Sequence, residues 1–324
     1  MRASQHKKYG APSVLNIEEV EKPAPKDHEV LIRVVAATVN RTDCGMLRAK
    51  PFIIRFFTGL LKPKDLILGT DFAGIIEAVG KDVRSFKVGD KVFGFNDSGA
   101  GSHAQYMTLS QDKALTIIPN NITYEQAAAS IEGAHYAYNM INKVALKSGQ
   151  KVLVNGATGA IGSAAVQLLT YYGAYVTAVC NAKNADLVRS LGANEVIDYT
   201  TEDFTRSNEK YNFVFDTVGK STFGKCKPLL ESQGVYISSE LGPNSQNLFL
   251  AIITPLFGKK KVKFPFPRDP KRSVLLIKKL MEEGKFRAVI DRKYPLEEVT
   301  EAFRYVEKGQ KIGNVILNLW GDNH

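Results

Sequence analysis

Apolar residues alternate with polar ones in short runs through the first third of the chain, and the pattern changes twice after it. Residues 14–20, 29–39, 74–79, 88–95 and 104–108 are strand-like and rich in β-branched side chains. A Pro-rich turn, KPAPKDH, separates the first two, and glycines at 80, 89, 94, 99 and 101 punctuate the rest. Many short strands between turn residues predict a barrel-like β domain. Residues 120–138 shift to helix-favouring composition, which predicts a domain boundary near residue 122.

From there strands alternate with helices. Apolar runs at 151–156, 175–179, 195–199, 211–219, 234–239 and 260–266 read as six strands. One intervening helix ends at Gly173 and another, 184–191, stops at Gly192. Continuous apolar strands joined by helices of this length predict a parallel sheet covered on both faces. The last third carries a helix pattern at 269–284, strand character at 286–294, and a helix followed by a closing strand, 314–319. Val299, Ala302, Phe303 and Val306 recur at helical spacing and are expected to face a core.

The first candidate chemistry lies in KVLVNGATGAIG, residues 151–162. A strand runs into a turn at Gly156, Ala157, Thr158 and Gly159, then into a helix opening at Ala160, Ile161 and Gly162. Small residues allow a tight turn, a close approach of backbone to a pyrophosphate, and close packing of helix on strand. The helix start adds free N–H groups and a positive dipole end. These seven residues are the expected dinucleotide-binding stretch. At the end of the second strand a cofactor lacking the ribose phosphate is usually held by a carboxylate. Here the neutral Cys180 takes that position and Lys183 follows. An ammonium attracts a phosphomonoester that a carboxylate would repel, so NADPH is the expected cofactor.

Composition narrows the setting. The chain has 324 residues and is long enough for two domains. Three scattered cysteines, Cys44, Cys180 and Cys226, argue against a disulfide framework and fit a reducing cytoplasm. No signal peptide is visible, and the longest apolar run, 52–61, is interrupted by Arg55, so no membrane partner is expected. The net charge of +10 comes without a basic helix or an RNA-binding signature, and reads as a solvated surface rather than a nucleic-acid site. The lysine run 259–263 reads as protection of a sheet edge. Residues 46–64, MLRAKPFIIRFFTGLLKPK, read either as an apolar lid or as ordinary core.

Two further stretches carry a family resemblance. Asn40-Arg41-Thr42-Asp43 resembles the segment that supplies the first catalytic zinc ligand in medium-chain alcohol dehydrogenases, and LGTDFAGIIEAVGKDVRSFKVGDKVFG, residues 68–94, resembles their Gly-His-Glu signature. With the glycine turn, the chain resembles the medium-chain dehydrogenase/reductase superfamily, in its quinone oxidoreductase-like, zeta-crystallin-like branch. The resemblance implies an α/β fold: a GroES-like partly open β-barrel catalytic domain from 1–122 and 268–324, and a Rossmann domain, 123–267, with a doubly wound parallel six-stranded sheet. It implies a substrate in the interdomain cleft and a homodimer formed through the edge strand. It also places Tyr199 by the adenosine phosphate, and Val218 and Gly219 past the nicotinamide ribose.

The departures matter as much. The positions of the family's metal ligands hold Asn40, Thr70 and Ile131, with Asp71 beside them, and no structural four-cysteine loop is present. Zinc wants thiolate, imidazole or carboxylate, so no metal is expected. His103 and His135 are too isolated to supply one. Without a Lewis acid a simple alcohol is a poor substrate, whereas a quinone or an α,β-unsaturated carbonyl spreads the arriving charge itself. The expected activity is NADPH-dependent reduction of such an acceptor, with Asn40 and His135 as catalytic candidates. Two alternatives stay open: a zinc-type alcohol dehydrogenase-like enzyme, and an NADPH-binding sensor or RNA-binding protein with little turnover.

Overall fold

The computed structural model describes residues 1–98 and 100–321, apart from the side chain of Ile53. Gly99, one of the expected turn glycines, lies outside them. The chain divides into two compact units, residues 1–132 together with the segment from Pro270 onward, and Gly133–Asp269.

The first unit is built on a seven-stranded sheet. Its order is Ile290–Pro295, Asn314–Asn318, Glu29–Val39, Asp71–Val79, Lys91–Phe95, Ala114–Ile117, with Tyr106–Ser110 also paired to Glu29–Val39. The long strand Glu29–Val39 serves three neighbours because its pairing shifts register twice, at Leu31/Ile32 and Val34/Ala36. Such irregularities bend a strand and let it leave one partner for another. The closing strand Asn314–Asn318 pairs antiparallel with it, Val315 opposite Val39. That pairing returns the end of the chain to the sheet begun near its start. The core gathers Ile32, Val34, Phe72, Ile76, Val92 and Val315, and against them Val299, Ala302, Phe303 and Val306. The apolar stripe of the helix Val299–Glu307 is therefore a packing face.

The second unit is a six-stranded sheet in the order Glu195–Asp198, Tyr175–Cys180, Lys151–Asn155, Tyr211–Asp216, Leu230–Ser238, Lys261–Lys263. Every pairing in it is parallel. In sequence order this is 3-2-1-4-5-6, the doubly wound dinucleotide arrangement. Val152, Leu153 and Val154 are wholly buried, as strands covered on both faces must be. The sixth strand is shorter than the sequence pattern suggests. Pro265 and Pro267 follow it, and proline cannot donate to a ladder. A helix that the pattern leaves unassigned, Gln246–Phe257, precedes that strand. No helix among the described residues is long and apolar enough to cross a membrane.

Candidate active site

The glycine turn is held by backbone geometry. Gly156 ends the strand Lys151–Asn155 at φ +80°, and a Cβ there would lie 2.8 Å from Val218. A Cβ on Gly162 would lie 2.1 Å from the Gly156 carbonyl oxygen, so the helix Ala160–Tyr171 can pack on the turn only through a residue without a side chain. Gly159 differs. A Cβ there would meet nothing nearer than 3.6 Å, so its surroundings are open. The three roles that the spacing assigns, turn, approach and packing, thus fall on different glycines.

Main-chain bonds draw the other expected cofactor residues to the turn. Gly156 and Ala157 both donate to the Val179 carbonyl at 3.2 Å. Tyr199 donates to the Cys180 carbonyl at 3.2 Å, and Thr217 to that of Asn155 at 3.0 Å. Cys180 is buried, and burial, then the nearby Asp198 charge, push its thiol up to about 11. It is a neutral group where a carboxylate would stand. Asp198 lies opposite Cys180 on the neighbouring strand, with its oxygens bonded to the Thr200 N–H and hydroxyl. Lys183 is exposed on a short 3-10 turn capped by Asn181, whose side-chain oxygen accepts the Lys183 N–H at 3.0 Å.

Asp216 is the residue of this site that the sequence reading misses. It is fully buried, and one carboxylate oxygen accepts the N–H of Gly219 at 3.0 Å and the amide of Asn155 at 3.0 Å. The other accepts the Ser221 N–H and the Tyr236 hydroxyl, at 3.1 and 3.0 Å. Asp216 therefore ties the Val218–Gly219 turn to the strand carrying Gly156. The available signal was an acid ending an apolar strand, YNFVFD, where burial requires partners.

A second cluster lies in the first unit. Asn40 ends the strand Glu29–Val39, Thr70 precedes the strand Asp71–Val79, and Glu132 opens the helix Glu132–Ile141. All three are buried, with Asp43 and Asp71 beside them. Glu132 accepts from Asn40 Nδ2 at 3.0 Å, Thr70 Oγ1 at 2.7 Å and Thr42 Oγ1 at 2.5 Å. Asn40 Nδ2 also donates to Thr38 Oγ1 at 2.8 Å, so both of its amide hydrogens have acceptors within the protein. Thr38 Oγ1 in turn donates to Asp71 at 2.9 Å. Ile131, at the third position implied by the resemblance, is a wholly buried apolar residue. The polar group there is its neighbour Glu132, which the sequence reading passes over. A glutamate within the apolar run IEGAHYAYNMI was the signal, since such residues are buried only with partners.

Burial, then the charge of Glu132, hold the carboxyls of Asp43 and Asp71 well above the usual range. Lys311 is half-buried, and desolvation lowers its ammonium to about 8 against the pull of Glu132 and Asp291. Thr42, which donates its hydroxyl to Glu132, is only half-buried.

The two histidines are both buried. His103 is fully buried, its Nε2 is 2.8 Å from the Thr38 carbonyl, and burial lowers it to about 4. Its ring meets Phe303 edge-on at 5.7 Å, a packing role. His135 is buried in the helix Glu132–Ile141, 3.3 Å through Nδ1 from Asn139 Nδ2. In the segment 46–64 Leu47 is buried in the core with Met46 packed against it, whereas Phe52, Phe56, Phe57, Leu60 and Leu61 are all exposed, so the reading as ordinary core fits only the start of the segment. No group of three or more metal-ligating side chains occurs among the described residues.

Known proteins resemble this chain over its length. Residues 26–120 match the family model of the alcohol dehydrogenase GroES-like domain, and residues 191–317 that of zinc-binding dehydrogenase. The chloroplast envelope quinone oxidoreductase homolog of Arabidopsis thaliana is 32% identical, with 98% of each chain covered. The NADPH-dependent alkenal/one oxidoreductase of the same plant is 31% identical over 98% of this chain and 79% of its own. The crystal structure of Escherichia coli quinone oxidoreductase complexed with NADPH superimposes with a TM-score of 0.83 at 25% identity, covering 98% of this chain and all of the other.

Proposed function

Because the chain belongs to the quinone oxidoreductase-like branch of the medium-chain dehydrogenase/reductase superfamily, we propose that it is an NADPH-dependent oxidoreductase that reduces quinones or α,β-unsaturated carbonyl compounds without a metal. Relatives named as quinone and NADPH-dependent alkenal/one oxidoreductases support the reaction class. The observation that carries the metal-free part is the bonding of Glu132. The donors of Asn40, Thr42 and Thr70 are all directed at one carboxylate, and among the described residues no group of three or more metal-ligating side chains occurs. That donor set does not fit a tetrahedral zinc site.

NADPH supplies a hydride when bound; the residues of the chain bind, orient and hold protons. The turn 156–162 fits the pyrophosphate, since Gly159 leaves open space and Gly162 brings the helix start close. Lys183 and Tyr199, both exposed, are assigned to the adenosine-side phosphate, with Cys180 withholding a negative charge. Val218 and Gly219, fixed by Asp216, are assigned to the nicotinamide ribose. Asn40, with its amide hydrogens engaged, positions rather than donates. Thr42 presents a hydroxyl backed by Glu132, the arrangement that can hold a proton near an acceptor oxygen.

The test is oxidation of NADPH and of NADH across a panel of quinones, enones and aldehydes, with and without a chelator. The expected result is NADPH-preferring turnover of quinones or enones, untouched by chelator. Turnover of aldehydes that chelation abolishes would sink the reading.

A further inference from the structure

Residues 50–65 form an arm of the first unit that neither the glycine turn nor the Glu132 cluster uses. It follows the helix Arg41–Arg48, makes two short helical turns, Phe52–Ile54 and Arg55–Thr58, and reaches Gly59 at φ +123°. A Cβ on Gly59 would lie 2.0 Å from the Lys62 carbonyl oxygen, so the chain folds back there only through glycine. The Lys64 N–H closes the loop on the Thr58 carbonyl at 2.7 Å. Tyr9 holds the loop in place. Its hydroxyl lies 2.8 Å from Thr58 Oγ1 and donates to the Gly59 carbonyl at 2.8 Å, while the Arg55 guanidinium lies 4.9 Å from the centre of its ring. The arm is thus a folded element with an inner side, on which Gly59 and Pro63 are buried.

Its outer side is apolar. Phe52, Phe56, Phe57, Leu60 and Leu61 are each at least 53% exposed, Leu61 at 90%. Single exposed apolar residues need no explanation, but five within ten residues of sequence mark an interaction surface. Cations border it. From residue 44 to 64 the sequence holds no Asp or Glu. Arg48 is paired with Glu307, whereas Lys50, Lys62 and Lys64 are exposed. The flanking acids in sequence are Asp43, buried in the Glu132 cluster, and Asp65, exposed. Three exposed lysines against one exposed carboxylate leave the border cationic.

A small molecule is held in a concave site, whereas these side chains stand out into solvent. The subunit pairing that the resemblance implies uses the edge strand of the other unit and does not account for the arm. An anionic bilayer surface matches both of its parts: the phenyl and leucyl groups enter the boundary of the acyl layer, and the ammoniums meet headgroup phosphates. We propose that residues 50–64 form a docking arm for an anionic lipid bilayer, which the chain touches without spanning. The proposal does not depend on the reaction. The absence of an apolar run long enough to span, which argues against a membrane partner in the sequence, has no bearing on a short segment lying in the interface plane. Thr42 is separated from the arm by the rest of the helix Arg41–Arg48, about 9 Å of rise, so a docked chain would hold its candidate site beside a phase in which lipophilic acceptors dissolve.

The test is co-sedimentation of the full chain with vesicles of phosphatidylcholine, alone or mixed with phosphatidylglycerol. Binding is expected to the mixed vesicles, weaker or absent with phosphatidylcholine alone, and reduced as salt screens the lysines. Phe57→Asp combined with Leu61→Asp should lower the partition coefficient about tenfold or more, since two apolar anchors are lost. Lys62→Glu with Lys64→Glu should lower binding to the mixed vesicles to a similar degree. Thermal unfolding midpoints check that each variant folds. A third variant, Phe57→Trp, reports the contact itself: its fluorescence should shift to the blue when mixed vesicles are added, beyond any shift of wild type. The proposal is overturned if the wild-type chain stays in the supernatant with both vesicles, or if the aspartate variant sediments as well as wild type. Sedimentation without a blue shift of the tryptophan variant overturns it too, by assigning the contact to another surface. A rise in the Michaelis constant for long-tailed acceptors in the aspartate variant, with no vesicle binding by wild type, would give the arm to the substrate instead.

Discussion

The glycine turn, only partly buried, and the Glu132 cluster, mostly buried, are both held by hydrogen bonds and are built on opposite principles. The turn is local and made of backbone: residues 156–162 carry it, and what matters at Gly156, Gly159 and Gly162 is the absence of a side chain. The cluster is assembled from side chains far apart in the chain, Asn40, Thr42 and Thr70 converging on Glu132. The difference teaches where tolerance should lie. A backbone site fails when an atom is added; a side-chain network fails when an acceptor is taken away.

The sharpest way to break that contrast is Glu132→Leu. Three donors lose their acceptor, and two of them, on Asn40 and Thr70, are buried. An orphaned buried donor costs about 1–3 kcal/mol, so a loss near 3 kcal/mol is expected once hydroxyls rotate to other partners. Glu132→Gln keeps one carbonyl oxygen and should lose about half of that. Urea unfolding of the three proteins measures both. A Leu variant as stable as wild type would show the cluster to be replaceable by apolar packing, as some buried polar networks are.

The next effect separates two glycines of one turn. Gly162→Ala puts a carbon 2.1 Å from the Gly156 oxygen and should cost about 2 kcal/mol in unfolding free energy as well as nucleotide affinity. Gly159→Ala meets no protein atom closer than 3.6 Å, so its stability should stay within about 0.5 kcal/mol of wild type while NADPH affinity falls. Thermal melts and a fluorescence titration with NADPH resolve the two. Equal destabilisation by both would remove the distinction between packing and approach.

The same contrast explains what the sequence disclosed. The turn, the parallel strands and the neutral Cys180 are legible because each is a local pattern of period or residue size. The six-strand alternation is likewise a matter of period, and it emerges as the 3-2-1-4-5-6 sheet. Asp216 and Glu132 are not legible in the same way. Each is a single acid in an apolar run, and it takes partners from elements distant in sequence, Asn155 and Tyr236 for Asp216, Asn40 and Thr70 for Glu132. The helix Gln246–Phe257 escapes for another reason: with both faces apolar and Pro255 inside, it shows no amphipathic period to detect.

A slope rather than an offset sharpens the cluster side. The carboxyl of Asp71, raised in the folded chain above its ordinary 3.8, binds its proton more tightly folded than unfolded. That contribution to stability is complete below the unfolded value and is lost as pH rises through the folded one. Wild type should therefore lose stability relative to Asp71→Asn as pH climbs from about 4 toward neutrality. Asparagine retains an oxygen for the Thr38 hydroxyl, so the comparison isolates the charge. Parallel pH profiles of the urea midpoints would show that Asp71 ionises as freely folded as unfolded.

The smallest expected effect tests an exposed side chain assigned to the nucleotide. Lys183 is exposed, and the capping bond at its position is made by its backbone N–H to Asn181, so Lys183→Ala leaves the 3-10 turn intact. An exposed ammonium beside a phosphate contributes about 1 kcal/mol. The Michaelis constant for NADPH should rise about fivefold, that for NADH should not move, and added salt should narrow the gap in wild type. An equal rise with both nucleotides would make Lys183 a structural residue. No rise with either would leave the preference to Tyr199 and to Cys180, which withholds a carboxylate.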